Sequence, residues 1–156
     1  AYCGIGLMSL LASKKAQHVI GIESIPEAIE NAKVIAEENH IENVEYILDD
    51  AAEGLQKVLK KTNVNTLLVD PPRSGMDDAM LETILSSSIE KIIYVSCNPA
   101  TLARNLKVLK KNYQVLTVIP YDLFPNTPHI ESITVLSRNG VKSGKKAKKY
   151  EIPVTE

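Results

Sequence analysis

KIIYVSCNPATLARNLKVLKK, residues 91–111, holds the transition on which the fold turns. Residues 91–97 form a near-continuous apolar run, the pattern of a strand buried on both faces in the middle of a parallel sheet. Asn98 and Pro99 then open a helix, Asn as a cap and Pro at the first helical position. Leu102, Leu106 and Leu109 follow at helical spacing, which predicts a helix over 99–111. A strand that passes directly into a helix is the repeating unit of an α/β domain.

The same alternation extends in both directions. HVIGIE (18–23), VEYIL (44–48) and NTLLVD (65–70) read as strands, the last stopped by Pro71 and Pro72, which cannot donate to a ladder. Helical patterns follow each of them. One has Pro26 in its first turn and Ile25, Ile29, Ala32 and Ala36 on one face; the others cover 51–61 and about 77–87. YQVLTVIPY (113–121) and ESITVLSR (131–138) have only DLFPNTPHI between them, too short for a crossover helix, so an antiparallel final pair is expected. The prediction is an α/β, Rossmann-like, doubly wound sheet, mostly parallel, with an antiparallel last strand.

The chain has 156 residues and 44% hydrophobic content, enough for the core of one domain, with no Trp and one Phe. Cys3 and Cys97 are too far apart and too few for a metal cluster or a disulfide framework, so no metal is expected and a reducing cytoplasm fits. No signal peptide or membrane-length apolar run is legible. Residues 140–156 carry five lysines and two glutamates, a net of +3, which leaves −4 for residues 1–139 of an overall −1. The expected division is a folded domain over 1–139 and a basic tail over 140–156, read either as solvated and partly disordered or as an auxiliary phosphate contact. The acidic body argues against strong non-specific nucleic-acid binding by this piece alone. The chain opens on AYCGIG, already at the end of what reads as a strand, so a fragment is expected whose missing strand lies at the sheet centre.

Ligands of open α/β sheets sit beyond the carboxyl ends of the strands. There Gly4-Ile5-Gly6 turns the first strand into a helix, and Ser9 replaces the third glycine of a dinucleotide fingerprint. Glu23 ends the second strand, where an acid can accept bonds from ribose hydroxyls, and Asp49 or Asp50 ends the third. Each feature has a bland reading, a structural turn or a helix cap. Together they favour an adenosine-type ligand without a bound diphosphate, and S-adenosylmethionine fits best. Asp70-Pro71-Pro72-Arg73 follows the fourth strand as a rigid turn. Arg73 stands where amino-methylating enzymes carry an aromatic. By position alone, Cys97 is equally a packing residue or a nucleophile at the positive end of a helix. A reversed last strand beginning at Glu131 would bring a carboxylate beside it.

YCGIG (2–6), IE (22–23), DPPRSG (70–75), SCNPATLARNL (96–106) and DLFPNTPHIES (122–132) together resemble the RNA uracil-C5 (m5U) methyltransferase family, over about residues 1–139. The resemblance implies a class I S-adenosylmethionine-dependent methyltransferase fold. It implies Cys97 as nucleophile and Glu131 as general base, with Tyr2, Gly4, Gly6, Glu23, Asp50 and Asp70 as cofactor contacts. It also implies an RNA substrate, 23S ribosomal RNA in preference to tRNA, and a monomeric enzyme. N-terminal domains of the same chain would precede residue 1, and in some members these carry an iron–sulfur site. Arg73 is a candidate for contacting the substrate's developing negative charge or the RNA. Three rival readings stay open: a methyltransferase acting on another nucleobase position, a dinucleotide oxidoreductase, and a cofactor- or RNA-binding module without activity.

Overall fold

The computed structural model describes residues 1–123, 125–127 and 130–140. The basic tail, and Phe124, Pro128 and His129 of the 122–132 motif, lie outside the described residues. In chain order the elements are α1 (Leu7–Ser13), β1 (Val19–Glu23), α2 (Pro26–Glu38), β2 (Val44–Leu48), α3 (Ala51–Leu59), β3 (Thr66–Val69), α4 (Asp78–Ser86), β4 (Lys91–Ser96), α5 (Pro99–Leu109), β5 (Tyr113–Tyr121) and β6 (Glu131–Arg138).

The strands form two sheets. β1 and β2 pair in parallel, and the other four lie in the order β3-β4-β6-β5. β3 and β4 are parallel, and β6 runs antiparallel to both neighbours. The reversed strand is therefore interior, and β5 forms the edge. The first three residues lie between the sheets. The Ala1 nitrogen donates to the Leu68 carbonyl at 2.8 Å and the Cys3 N–H to the Ile22 carbonyl at 3.1 Å, so this segment follows the path expected for a central strand.

One apolar cluster spans both sheets. Ile22, Leu55 and Val58 join Leu67, Val69, Ile84, Ile92, Tyr94 and Leu136 in it, and the last five of these are wholly buried.

 Ile25 departs from expectation: it caps α2 in extended geometry (φ −96°, ψ 113°) and is exposed instead of joining Ile29, Ala32 and Ala36. The reason is Pro26 at the first helical position, which disfavours helical geometry in the residue before it. The remaining boundaries fall within two residues of those predicted. Among the described residues no helix is long and apolar enough to cross a membrane.

Arg138, at the end of β6, closes the end of the sheet away from the strand-to-helix turns. Its Nε donates to the Ile89 carbonyl at 2.8 Å, its Nη2 to the Ser87 carbonyl and to the Tyr113 hydroxyl at 3.0 Å, and its guanidinium lies 4.9 Å from the centre of the Tyr113 ring. A lysine cannot reproduce this planar fork. Arg138→Lys is expected to lower stability by about 1–3 kcal/mol in urea denaturation, because buried carbonyls lose their donors.

Candidate active site

The strand-to-helix turn around Cys97 is tied on both sides. The Ser96 hydroxyl donates to the Asn98 carbonyl at 3.1 Å and accepts from the Asn98 N–H at 3.2 Å, while the Ser132 hydroxyl donates to the Ser96 carbonyl at 3.3 Å. Asn98 caps α5 by accepting from the Ala100 and Thr101 N–H groups, satisfying donors that a helix start leaves open. Cys97 itself is a free, half-buried thiol. Burial pushes the Cys3 thiol above its ordinary value and favours the protonated form.

The antiparallel ladder between β4 and β6 pairs Lys91 with Ser137 and ends on Ser96 opposite Ser132. Continuing that register by one residue beyond the last pair would set Cys97 opposite Glu131. On the other side of β6, Glu131 pairs with Tyr121 of β5. Cross-strand partners project from the same sheet face. The structure thus brings Cys97 and Glu131 to one edge of the sheet, from positions 34 apart in the sequence. Asp70, at the end of β3, belongs to the same neighbourhood: desolvation first, and the Glu131 charge second, push its carboxyl above the usual range.

The turn that follows Asp70 is held by the helix that follows Cys97. The Asn98 Nδ2 and the Thr101 hydroxyl both donate to the Arg73 carbonyl, at 3.3 and 3.1 Å, and Arg104 donates to the Ser74 carbonyl at 2.5 Å. Asn105 has no exposed surface. Its Oδ1 accepts from the Met76 N–H at 2.9 Å and the Tyr94 hydroxyl at 2.8 Å, and its Nδ2 donates to the Met76 carbonyl at 3.0 Å. Gly75 fits beneath this clamp at φ 77°; an added Cβ would lie 2.6 Å from the Asn105 Oδ1. Sequence reasoning missed these positioning roles. The available signal was a polar residue at position 105 on the buried stripe between Leu102 and Leu109.

The glycine turn forms the second half of the site. Tyr2, Gly4 and Gly6 all have left-handed backbone, with φ of 58°, 53° and 86°. A side chain at Gly6 would collide with the Tyr46 hydroxyl, whereas a Cβ at Gly4 would meet nothing within 4 Å. The Glu23 Oε2 accepts from the Gly4 N–H at 2.9 Å, and Oε1 accepts from the Ser24 and Ile25 N–H groups. The carboxylate is therefore fixed beside the turn, with acceptor capacity left on Oε2. Asp50 caps α3 through the Ala52 and Glu53 N–H groups, and Asp49 pairs with Lys57 at 2.6 Å. Burial first, then the charges of Asp77 and Asp50, push the Tyr2 phenol up and keep it neutral. An open backbone turn bordered by an oriented carboxylate suits an adenosine-type ligand. No group of three or more His, Cys, Asp or Glu that could hold a metal ion occurs among the described residues.

Residues 1–139 match the family model described as tRNA (Uracil-5-)-methyltransferase. The chain belongs to this family. It is 46% identical over 140 residues to an uncharacterized RNA methyltransferase of Bacillus cereus, covering 88% of this chain and 30% of that protein. It is 47% identical over 139 residues to one of Listeria innocua, covering 88% and 31%. The chain thus spans about a third of the length of these relatives. Among solved structures, the Pyrococcus abyssi tRNA (uracil-54, C5)-methyltransferase in complex with S-adenosyl-L-homocysteine superposes with a TM-score of 0.74 at 31% identity, covering 86% of this chain and 32% of the other. A Streptococcus thermophilus rRNA methylase shares the fold, with a TM-score of 0.68 at 16% identity and coverage of 87% and 82%. The fold is that of the class I S-adenosylmethionine-dependent methyltransferases.

Two outcomes follow from this geometry. Asn105→Ala leaves both backbone groups of Met76 and the Tyr94 hydroxyl without partners and is expected to cost about 2–5 kcal/mol in chemical denaturation. Asp70→Asn removes a carboxyl whose folded value is raised. The native protein loses stability from this group as pH rises from the unfolded value to the folded one. Asp70→Asn should therefore raise the urea midpoint at pH 7 and leave it nearly unchanged at pH 3.

Proposed function

We propose that the protein of which this chain is part methylates C5 of a uridine in RNA, with S-adenosylmethionine as donor and Cys97 as nucleophile. The observation that carries this reading is the register that, continued by one residue, sets Cys97 opposite Glu131. Uracil C5 is a weak nucleophile, so a methyl donor beside it is not sufficient. Attack of the Cys97 thiolate on C6 forms an S–C6 bond and moves the ring electrons onto C5 and O4, as an enolate. When bound, S-adenosylmethionine would supply an electrophilic methyl group to the C5 that Cys97 has activated, leaving as S-adenosylhomocysteine. Glu131 then removes the proton from C5, the double bond re-forms, and the S–C6 bond breaks to release the thiolate. Glu23 and the Gly4–Gly6 turn, with Tyr2, Asp50 and Asp70, would hold the cofactor. Arg73 would face the enolate oxygen or the RNA.

The rigid Asp70–Met76 turn supports this assignment, because the two reacting surfaces share the Asn105 anchor. A base inside a duplex cannot reach a thiol at a sheet edge, so the target is an unstacked uridine. The RNA we name is 23S ribosomal RNA, on overall sequence resemblance, with the reaction in the cytoplasm.

The full-length enzyme should form a covalent adduct with RNA containing 5-fluorouridine, since fluorine cannot leave as a proton does. Cys97→Ala should form none, and Glu131→Gln should accumulate an adduct with ordinary RNA while losing at least 100-fold in turnover. Turnover surviving in Cys97→Ala would point to methylation at another position. Mass spectrometry of RNA from a deletion strain should show 5-methyluridine missing from 23S rRNA; its loss from tRNA would reassign the substrate.

A further inference from the structure

The row of residues that contains Cys97 and Glu131 extends one strand further, to Tyr121. Tyr121 pairs directly with Glu131, and it is 43% exposed although it is large and largely apolar. β5 is the edge strand, and among the described residues no neighbouring strand covers its outer side. Edge strands are usually blunted by charge; here Leu123 and Ile130, close in sequence to the Tyr121–Glu131 pair, are also apolar and exposed, at 62% and 41%. Strands in a sheet lie about 4.8 Å apart, which puts Tyr121 about 10 Å from Cys97 along the row. A uracil ring bonded to Cys97 through C6, with C5 facing Glu131, fills the first of these spacings. The second is left for what lies next to that uracil.

We propose that Tyr121 binds the RNA substrate by stacking its ring on a base that neighbours the reacting uridine. The inference rests on the uridine-methylating reading above. Single-stranded bases splayed from their own stack are held on aromatic faces by contacts that tolerate any base. An exposed ring in line with the nucleophile and base would set the position of the RNA strand without touching the reacting atoms. Its contribution falls on substrate binding and not on bond making.

The test uses full-length enzyme and a stem-loop RNA spanning the modified uridine. Tyr121→Ala should raise KM for this RNA by about 5- to 100-fold, with kcat within threefold of wild type and S-adenosylhomocysteine affinity unchanged. Tyr121→Phe and Tyr121→Trp, which keep the aromatic face, should stay within threefold of wild type in KM. Tyr121→Leu keeps an apolar side chain without that face and should behave like Tyr121→Ala, which guards against a folding defect in the alanine variant. A KM unchanged in both Tyr121→Ala and Tyr121→Leu overturns the proposal, as does a loss in Tyr121→Phe equal to that in Tyr121→Ala. If wild-type enzyme traps no 5-fluorouridine RNA, the uridine reading itself fails; trapping with an unchanged KM removes only the role of Tyr121.

Discussion

The half of the molecule that carries Cys97 depends on the hydrogen bonds of one buried side chain. Asn105 sits two turns into the helix that Cys97 launches, and it binds both backbone groups of Met76 as well as the Tyr94 hydroxyl. A strand, a helix and a loop that come from two consecutive β–α units meet at that amide. In a dry interior each of these polar groups would be costly to leave unpaired, so the partners are strongly constrained to this arrangement. The consequence is geometric. The Asp70–Met76 turn cannot shift relative to Cys97 without breaking bonds at Asn105, and Thr101 and Arg104 repeat the same tie on Arg73 and Ser74.

The cofactor half is built on different physics. Its glycine turn needs left-handed backbone at three of five positions, including the non-glycine Tyr2, and such geometry persists only when its surroundings over-determine it. Glu23 supplies part of that determination by receiving the Gly4 N–H. The two halves then meet through few links: the backbone bonds of residues 1–3, the shared core, and a bond from Gln56 on α3 to Thr83 on α4 at 3.0 Å. The distance between the glycine turn and the Cys97 edge is set by these links.

Much of this was legible in the sequence, and the reasons differ by residue. The alternation of apolar runs with helical periods exposes the α/β order, because a buried parallel strand and an amphipathic helix have different periods. The nine-residue DLFPNTPHI connection implied a reversed strand, and reversal alone brings Glu131 to the end of the sheet where Cys97 lies. The interior position of β6 was not legible, since strand order depends on which faces pack and not on local spacing. Ile25 was misassigned to the face of α2 because its hydrophobicity fits the period while the following proline removes it from the helix. Asn105 went unremarked because a polar residue on a helix usually faces solvent. Two of its three bonds go to backbone groups 29 residues earlier, which carry no side-chain signature.

Strand order also explains why the reacting row lies where it does. Had β5 followed β4 in space, the chain would have put Tyr121 beside Cys97 and left Glu131 at the edge. Inserting the reversed β6 between them reverses that arrangement. The carboxylate gains a strand on each side, paired with Tyr121 of β5 and next in line to the last pair of the β4 ladder, and the aromatic moves to the rim, where it remains open to a large ligand. A proton-removing group needs a fixed place against the reacting carbon, since catalysis falls steeply with small displacements. A stacking group needs exposure and tolerates looser placement. The topology therefore suits each residue type to the physical demands proposed for it, and this rests on the place of a single strand in the sheet order.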